Sequence, residues 1–107
     1  LELADETNAP EALLKFSGTK WDANYRDHCK ANNLPAHPAR MQAMLSAFFV
    51  KFLTTPNDLV LDPFAGSNTT GAVSQTLERR WIGVEANADY VEGSKGRFAE
   101  FAEHLAE

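Results

Sequence analysis

Apolar side chains recur at helical spacing between residues 39 and 54, which predicts an amphipathic helix that ends before Pro56. We expect the apolar stripe of this helix to form part of the core. The stripe comprises Met41, Met44, Phe48, Phe49 and Phe52.

Two short apolar runs further along the chain are typical of strands buried on both faces of a parallel sheet. The first covers residues 59–61 and ends at Asp62, and the second covers residues 81–84 and ends at Glu85. The intervening segment predicts a glycine loop followed by a helix over residues 69–77. A last helix is predicted from about residue 87 to residue 105, with a bend where Gly93 and Gly96 weaken it. This order predicts an α/β fold with two parallel strands joined by a right-handed crossover.

The first 36 residues show no clear period and are predicted to be a linker or loop region. With 107 residues in all, the chain forms one domain at most. Because the chain opens with Leu1 rather than Met, we expect it to be a trimmed or internal fragment. Residues 37–107 then make up the ligand-binding portion of that domain.

The formal net charge is −5, and Arg79–Arg80 is the only basic pair. A protein that binds DNA unaided normally needs a basic patch, so any DNA contact must come mostly from outside this chain.

The lone Cys29 cannot form an internal disulfide, which favours a reducing, cytoplasmic setting. No second Cys/His pair accompanies His28–Cys29, so we expect no metal, and no apolar run is long enough for a membrane span.

The loop that begins at Asp62 lies where open α/β sheets bind ligands, at the carboxyl end of a strand. Gly66 allows close approach to the backbone, and the helix opened by Thr69 and Thr70 favours an anionic group. Glu85 follows about 20 residues later, a position at which a carboxylate accepts ribose hydroxyls. The pattern predicts a nucleoside-bearing ligand with an acidic tail.

The same loop excludes two common nucleotide sites. It lacks G-x-G-x-x-G, and it lacks the lysine of a phosphate-binding P-loop. An acid at Asp62 suits a positive amino or sulfonium group better than a pyrophosphate.

Residues 62–70 read D-P-F-A-G-S-N-T-T, which resembles the D-P-F-x-G-S-G-T-T motif of DNA amino-methyltransferases of the N6-adenine and N4-cytosine kind. His37-Pro38-Ala39 is similar to the family's H-P-A segment, and residues 81–85 are similar to its strand ending in an acid. The resemblance covers roughly residues 36–100, and the first 35 residues carry little of it. Asn68 departs from the motif's glycine; we expect the turn to survive, because asparagine tolerates a left-handed backbone.

The resemblance implies a partial Rossmann-like fold that binds S-adenosylmethionine, with S-adenosylhomocysteine as product. The cofactor-binding residues it implies are His37, Pro38, Asp62, Pro63, Phe64, Ala65, Gly66, Ser67, Thr69, Thr70, Glu85 and Ala86.

The family's catalytic motif, Asp or Ser before Pro-Pro and an aromatic residue, is absent from this sequence. The resemblance therefore implies a fragment of the permuted class, in which the catalytic half precedes the cofactor half. This chain would contain no catalytic residue and supply the methyl-donor site alone. DNA would be bound through the missing or partner half, and another chain segment or self-association would cover the incomplete sheet. A non-catalytic binding module, either degenerate or a split subunit, is the alternative; methyl transfer to RNA or protein is a weaker one.

Overall fold

The computed structural model describes residue 16 and residues 20–98. The elements in chain order are helix α1 (Lys20–Ala31), helix α2 (Ala43–Leu53), strand β1 (Leu59–Asp62), helix α3 (Thr69–Thr76), strand β2 (Arg80–Gly83), helix α4 (Ala88–Ser94) and a 3₁₀ helix (Lys95–Phe98). The α/β fold and the predicted element order from residue 37 onward are confirmed. The predicted continuation of the last helix to residue 105 lies partly outside the described residues.

Strands β1 and β2 pair in parallel, as predicted, with Leu59 opposite Arg80 and Asp62 opposite Gly83. Their expected burial on both faces is wrong, since Leu61 is 62% exposed and Ile82 is 50% exposed. Successive side chains of a strand point to opposite faces. Val60 packs against the core on one face, while the other face is uncovered by any residue that the structure describes.

The core lies between α2, α3 and β1. It comprises Phe16, Ala43, Ala47, Val50, Val73 and Leu77, with Trp21, Met44 and Val60 packed against it. Helix α3 faces inward through Ala72 and Val73, and Leu77, directly after the helix, is buried with them.

Helix α2 turns a different face to the core than the one predicted. Its small residues Ala43 and Ala47 are buried, whereas Phe48 and Phe49 of the apolar stripe are 47% and 49% exposed. The prediction that the stripe is core is therefore wrong for Met41, Phe48, Phe49 and Phe52, while Met44 is half-buried against the core. Close packing of α2 on α3 needs small side chains at the contact, and this leaves the aromatic side chains on the outer surface.

Helix α2 also begins at Ala43 rather than near Ala39. The chain bends at residues 38–39 before the helix, where Ala39 N donates to His37 Nδ1 at 3.1 Å and Arg40 Nη1 donates to the His37 carbonyl at 2.6 Å. Gln42 occupies the N-cap position with an extended backbone, at φ −69° and ψ 130°, and its side chain makes no cap hydrogen bond.

Helix α1 occupies part of the segment predicted to be a linker or loop, so that prediction is wrong for residues 20–31. Tyr25 and Cys29, one turn apart, are buried where α1 packs against the segment that contains Gly93 and Gly96. Gly93 and Gly96 make this contact possible: a Cβ at Gly96 would lie 2.4 Å from His28 Cβ, and one at Gly93 would lie 3.0 Å from Cys29 Sγ. The division between residues 36 and 37 stays a prediction.

Helix α4 changes to the 3₁₀ helix at Lys95, within the segment where a bend was predicted. Between residues 20 and 98, no helix is long and apolar enough to cross a membrane.

Candidate functional site

The loop after β1 is tied to the end of β2 by an extension of the strand pairing. Val84 N donates to the Asp62 carbonyl at 2.9 Å, and Ala65 N donates to the Val84 carbonyl at 2.9 Å. Asp62 Oδ1 in turn accepts from Phe64 N at 3.0 Å, which closes a tight turn over Pro63. The loop and the end of β2 are thus one hydrogen-bonded unit.

Glu85 belongs to the same unit. Its Oε1 accepts from Gly66 N at 3.0 Å, and its Oε2 accepts from Asn87 N at 2.8 Å. The Asn87 N–H is the main cause that lowers the pKa of the Glu85 carboxyl below its ordinary range; desolvation opposes this effect, and the Gly66 N–H adds to it. A carboxylate oxygen has two lone pairs, so each oxygen retains one for a ligand hydroxyl.

Asn68 adopts the left-handed conformation at φ 62° and ψ 41°, which confirms that the turn tolerates asparagine. Its side chain caps α3 by accepting from Gly71 N at 3.1 Å. The amide has room because two neighbours lack side chains. A Cβ at Gly71 would lie 2.5 Å from Asn68 Oδ1, and one at Gly83 would lie 3.1 Å from it.

His37 forms the wall opposite the loop. A Cβ at Gly66, whose φ is +56°, would lie 3.2 Å from His37 Cδ2, so the ring rests almost on the Gly66 backbone. The ring also lies against Tyr90, with centroids 4.6 Å apart.

A cavity of about 140 Å³ lies between these walls. Of the predicted site residues, its lining includes His37, Asp62, Phe64, Ala65, Gly66, Ser67, Thr69 and Thr70. The volume is below the range of about 300–1,000 Å³ usual for whole-ligand pockets, so these residues can enclose only part of a nucleoside-sized ligand.

The remaining predicted residues lie around this cavity. Pro38 lines a neighbouring cavity of about 520 Å³, which it shares with Thr69, Trp21 and Arg97. Pro63 and Ala86 are exposed beside the loop and beside Glu85. The larger cavity borders Phe16, next to residues 17–19, which lie outside the described part of the chain. We therefore base the site on the smaller cavity, where the predicted residues converge.

Sequence reasoning missed the residues that support the site from behind. Arg97 donates from Nε to the Ser67 carbonyl at 2.8 Å, and Tyr25 Oη accepts from His37 N at 2.9 Å. No motif marks either residue. One signal was the pair Gly93 and Gly96, which pack closely on α1 beside Arg97, and another was the spacing of Trp21, Tyr25 and Cys29 along α1.

Among residues 16 and 20–98, no group of three or more His, Cys, Asp or Glu side chains could hold a metal ion.

The parallel pair, the loop at its carboxyl edge and the acid after β2 form part of a methyltransferase-type α/β fold. A solved structure similar to this chain is the cytosine-N4-specific PvuII DNA methyltransferase, with a TM-score of 0.65 and 46% sequence identity over 77% of this chain and 28% of that one. A second is the M1.HpyAVI–SAM complex, with a TM-score of 0.56 and 41% identity over 59% of this chain and 31% of that one.

The sequence comparisons identify the family. The family of N6 and N4 methyltransferases described as DNA methylase matches residues 4–96, and the chain belongs to it. This match begins well before residue 36, so the prediction that the first 35 residues carry little of the family's sequence is wrong.

Two curated relatives are the type II methyltransferase M.PvuII of Proteus hauseri and the DNA adenine methyltransferase YhdJ of Escherichia coli (strain K12). The first is 45% identical over 89 residues, which is 83% of this chain and 26% of the relative. The second is 38% identical over 77 residues, which is 72% of this chain and 26% of the relative. The chain thus spans about a quarter of the length of these relatives.

Proposed function

We propose that this chain is the methyl-donor portion of a site-specific DNA methyltransferase that methylates the exocyclic amine of cytosine (N4) or adenine (N6). S-adenosylmethionine is the proposed cofactor, and it supplies a methyl group on a sulfonium. The pocket for the target base, the catalytic motif and most of the DNA contacts belong to the part of the protein outside this chain. The setting that we propose is the bacterial cytoplasm, in restriction–modification.

One observation carries this proposal: Glu85 and the cofactor loop are joined by the Gly66–Glu85 hydrogen bond of 3.0 Å. This bond holds a ribose-binding carboxylate beside a backbone that a ligand can approach. Family membership and the complex of M1.HpyAVI with SAM support the choice of ligand.

The residues present fit such a ligand by charge and by shape. The first N–H groups of α3, at Thr69 and Thr70, have no partner within the helix and suit the methionine carboxylate. Asp62 is half-buried at the cavity and suits the ammonium or sulfonium charge. Phe64 is 88% exposed at the loop tip, where an apolar ring can pack against the ligand.

Titration of the chain with S-adenosylmethionine by calorimetry tests the donor site. We expect saturable one-site binding, and we expect Asp62→Asn and Glu85→Gln each to weaken it tenfold or more, about 1.4 kcal/mol. The chain offers matched controls at the opposite ends of the same strands. Asp58→Asn, before β1, and Glu78→Gln, before β2, should bind as the wild type does.

Wild-type affinity in both Asp62→Asn and Glu85→Gln would contradict the site assignment. Absence of binding by a folded chain would instead favour the alternative of a non-catalytic module. The reaction itself is tested on the full-length protein, which should transfer labelled methyl groups to duplex DNA, whereas the chain alone should not.

A further inference from the structure

Arg97 is the most completely enclosed charged side chain among the described ion pairs, at 2% exposure. Its guanidinium makes three short hydrogen bonds to two distant segments. Nε donates to the Ser67 carbonyl at 2.8 Å and Nη2 donates to Ser67 Oγ at 2.7 Å, while Nη1 donates to the Trp21 carbonyl at 2.7 Å. One side chain thus joins the proposed cofactor loop to helix α1.

Helix α1 also supplies the surroundings that a buried cation needs. The guanidinium carbon lies 4.4 Å from the centroid of the Tyr25 ring, and Asp22 Oδ1 lies 3.5 Å from Nη2. Burial lowers the pKa of Arg97, while Asp22 opposes this effect. A buried guanidinium is costly unless its donors are satisfied, so its retention here requires these partners to stay in place.

The same helix holds the opposite wall of the site. Tyr25 Oη accepts from His37 N at 2.9 Å. Arg40 donates from Nη1 to the His37 carbonyl at 2.6 Å and from Nε to Asp22 Oδ1 at 2.7 Å. Both backbone polar groups of His37 are therefore fixed, directly or through Arg40, by residues of α1.

We propose that Arg97 is a positioning residue that, through Tyr25 and Asp22, sets the distance between Ser67 and His37 and so the width of the cofactor cavity. Arg97 acts through Ser67 and helix α1 and is not itself a catalytic residue. The expected effect on cofactor affinity rests on the proposed function. The expected effect on the distance between Ser67 and His37 does not depend on that function.

The test compares Arg97→Lys with Arg79→Lys in the chain. Lysine keeps the charge but cannot reproduce the planar fork. Arg79 is a matched control, because its guanidinium also makes three hydrogen bonds, to Thr54 Oγ1 at 2.9 Å, the Thr54 carbonyl at 2.7 Å and the Leu77 carbonyl at 2.7 Å. These bonds lie near the amino-terminal ends of the strands, away from the site.

We expect both variants to unfold at lower temperature than the wild type. Only Arg97→Lys should weaken S-adenosylmethionine binding, tenfold or more, when titrated well below both melting temperatures. Binding by Arg97→Lys within twofold of wild type would overturn the proposal, and so would an equal loss in Arg79→Lys, which would indicate general destabilisation.

Amide NMR spectra without ligand separate this proposal from the proposed function. The Ser67 and His37 amides should both shift in Arg97→Lys and stay in place in Arg79→Lys; unshifted amides in Arg97→Lys would overturn the proposal even if the wild type binds no cofactor. If Arg97→Lys fails to fold, Asp22→Asn replaces it, with Asp58→Asn as its control. Asp22→Asn should shift the same two amides and weaken binding about threefold, and wild-type spectra in that variant would refute the positioning role.

Discussion

The contact between Asn68 and Gly71 predicts that Gly71→Ala destabilises the chain when residue 68 is asparagine and stabilises it when residue 68 is glycine. A Cβ at Gly71 would lie 2.5 Å from both Oδ1 and Nδ2 of Asn68, far inside van der Waals contact. The amide would have to leave the cap position, where it accepts from Gly71 N. Asn68 is only 5% exposed, so its displaced polar group would lose a hydrogen bond in a buried place.

The energies can be set against each other. Alanine in place of glycine gains about 0.8–1.0 kcal/mol of helix propensity in α3. Loss of the buried cap hydrogen bond costs about 1–3 kcal/mol. Gly71→Ala alone should therefore destabilise the chain by about 1 kcal/mol. Asn68→Gly should change stability by a few tenths of a kcal/mol, since glycine is a nearly equivalent cap.

In the Asn68→Gly background the obstructing amide is gone, and Gly71→Ala should stabilise the chain by about 0.5–1 kcal/mol. The coupling between the two positions is then about 1.5–2 kcal/mol, within the range seen for residues in contact. Urea unfolding of the wild type, the two single variants and the double variant, monitored by circular dichroism, measures this coupling. The slope of the unfolding free energy against urea concentration should be the same in all four proteins. An effect of Gly71→Ala that agrees in sign and size between the two backgrounds, within about 0.5 kcal/mol, would refute the reasoning.

Two further predictions concern the loop. Glu85 has a lowered pKa, so its contribution to stability is complete above the ordinary glutamate pKa of about 4.3 and is lost as the pH falls toward the lowered value. Glu85→Gln should therefore flatten the acid limb of a melting-temperature profile, and an unchanged limb would argue against the hydrogen bonds to Gly66 and Asn87. Gly66→Ala should cost about 1–2 kcal/mol in urea unfolding, because φ at Gly66 is +56° and the new Cβ would press on His37. Gly96→Ala, at a second position where a new Cβ would meet a neighbouring residue, is the comparison. A cost near zero for Gly66→Ala would show that the loop relaxes freely.

The order of elements and the convergence of the loop with Glu85 were predictable because both follow from local patterns. Apolar runs ending in Asp62 and Glu85 predict strands, and the carboxyl ends of parallel strands meet at one edge. The left-handed turn at Asn68 was predictable for the same reason, since it depends on one residue's backbone preference.

Which side chains are buried, and which helices contact each other, depends on tertiary packing, and the sequence pattern does not determine it. Apolar periodicity in α2 marks a face but does not say whether this chain covers it, and Phe48 and Phe49 lie outside while Ala47 is fully buried. The period of helix α1 is short and lies among polar residues: Trp21, Tyr25 and Cys29 recur every fourth residue, and Tyr25 and Cys29 are buried. Polar contacts that a sequence pattern does not reveal, such as that of Tyr25 with His37, add to this packing. Gly93 and Gly96 were interpreted as weak points of a helix, whereas they are positions of close approach to α1.

The pairing of Asp62 with Gly83, extended by the bonds of Val84, has a consequence for how this protein can vary. The distance from the loop to Glu85 is set by strand register and not by the number of residues in the crossover between them. Additions at the turn after α3, around Glu78 at the far end of the strands, should leave the site's dimensions unchanged. A slip of one residue in β2 would instead displace Glu85 by about 3.3 Å and turn its side chain to the other face. Evolutionary changes of length should therefore accumulate at the distal turn, while the stretch from Arg80 to Asn87 keeps its length.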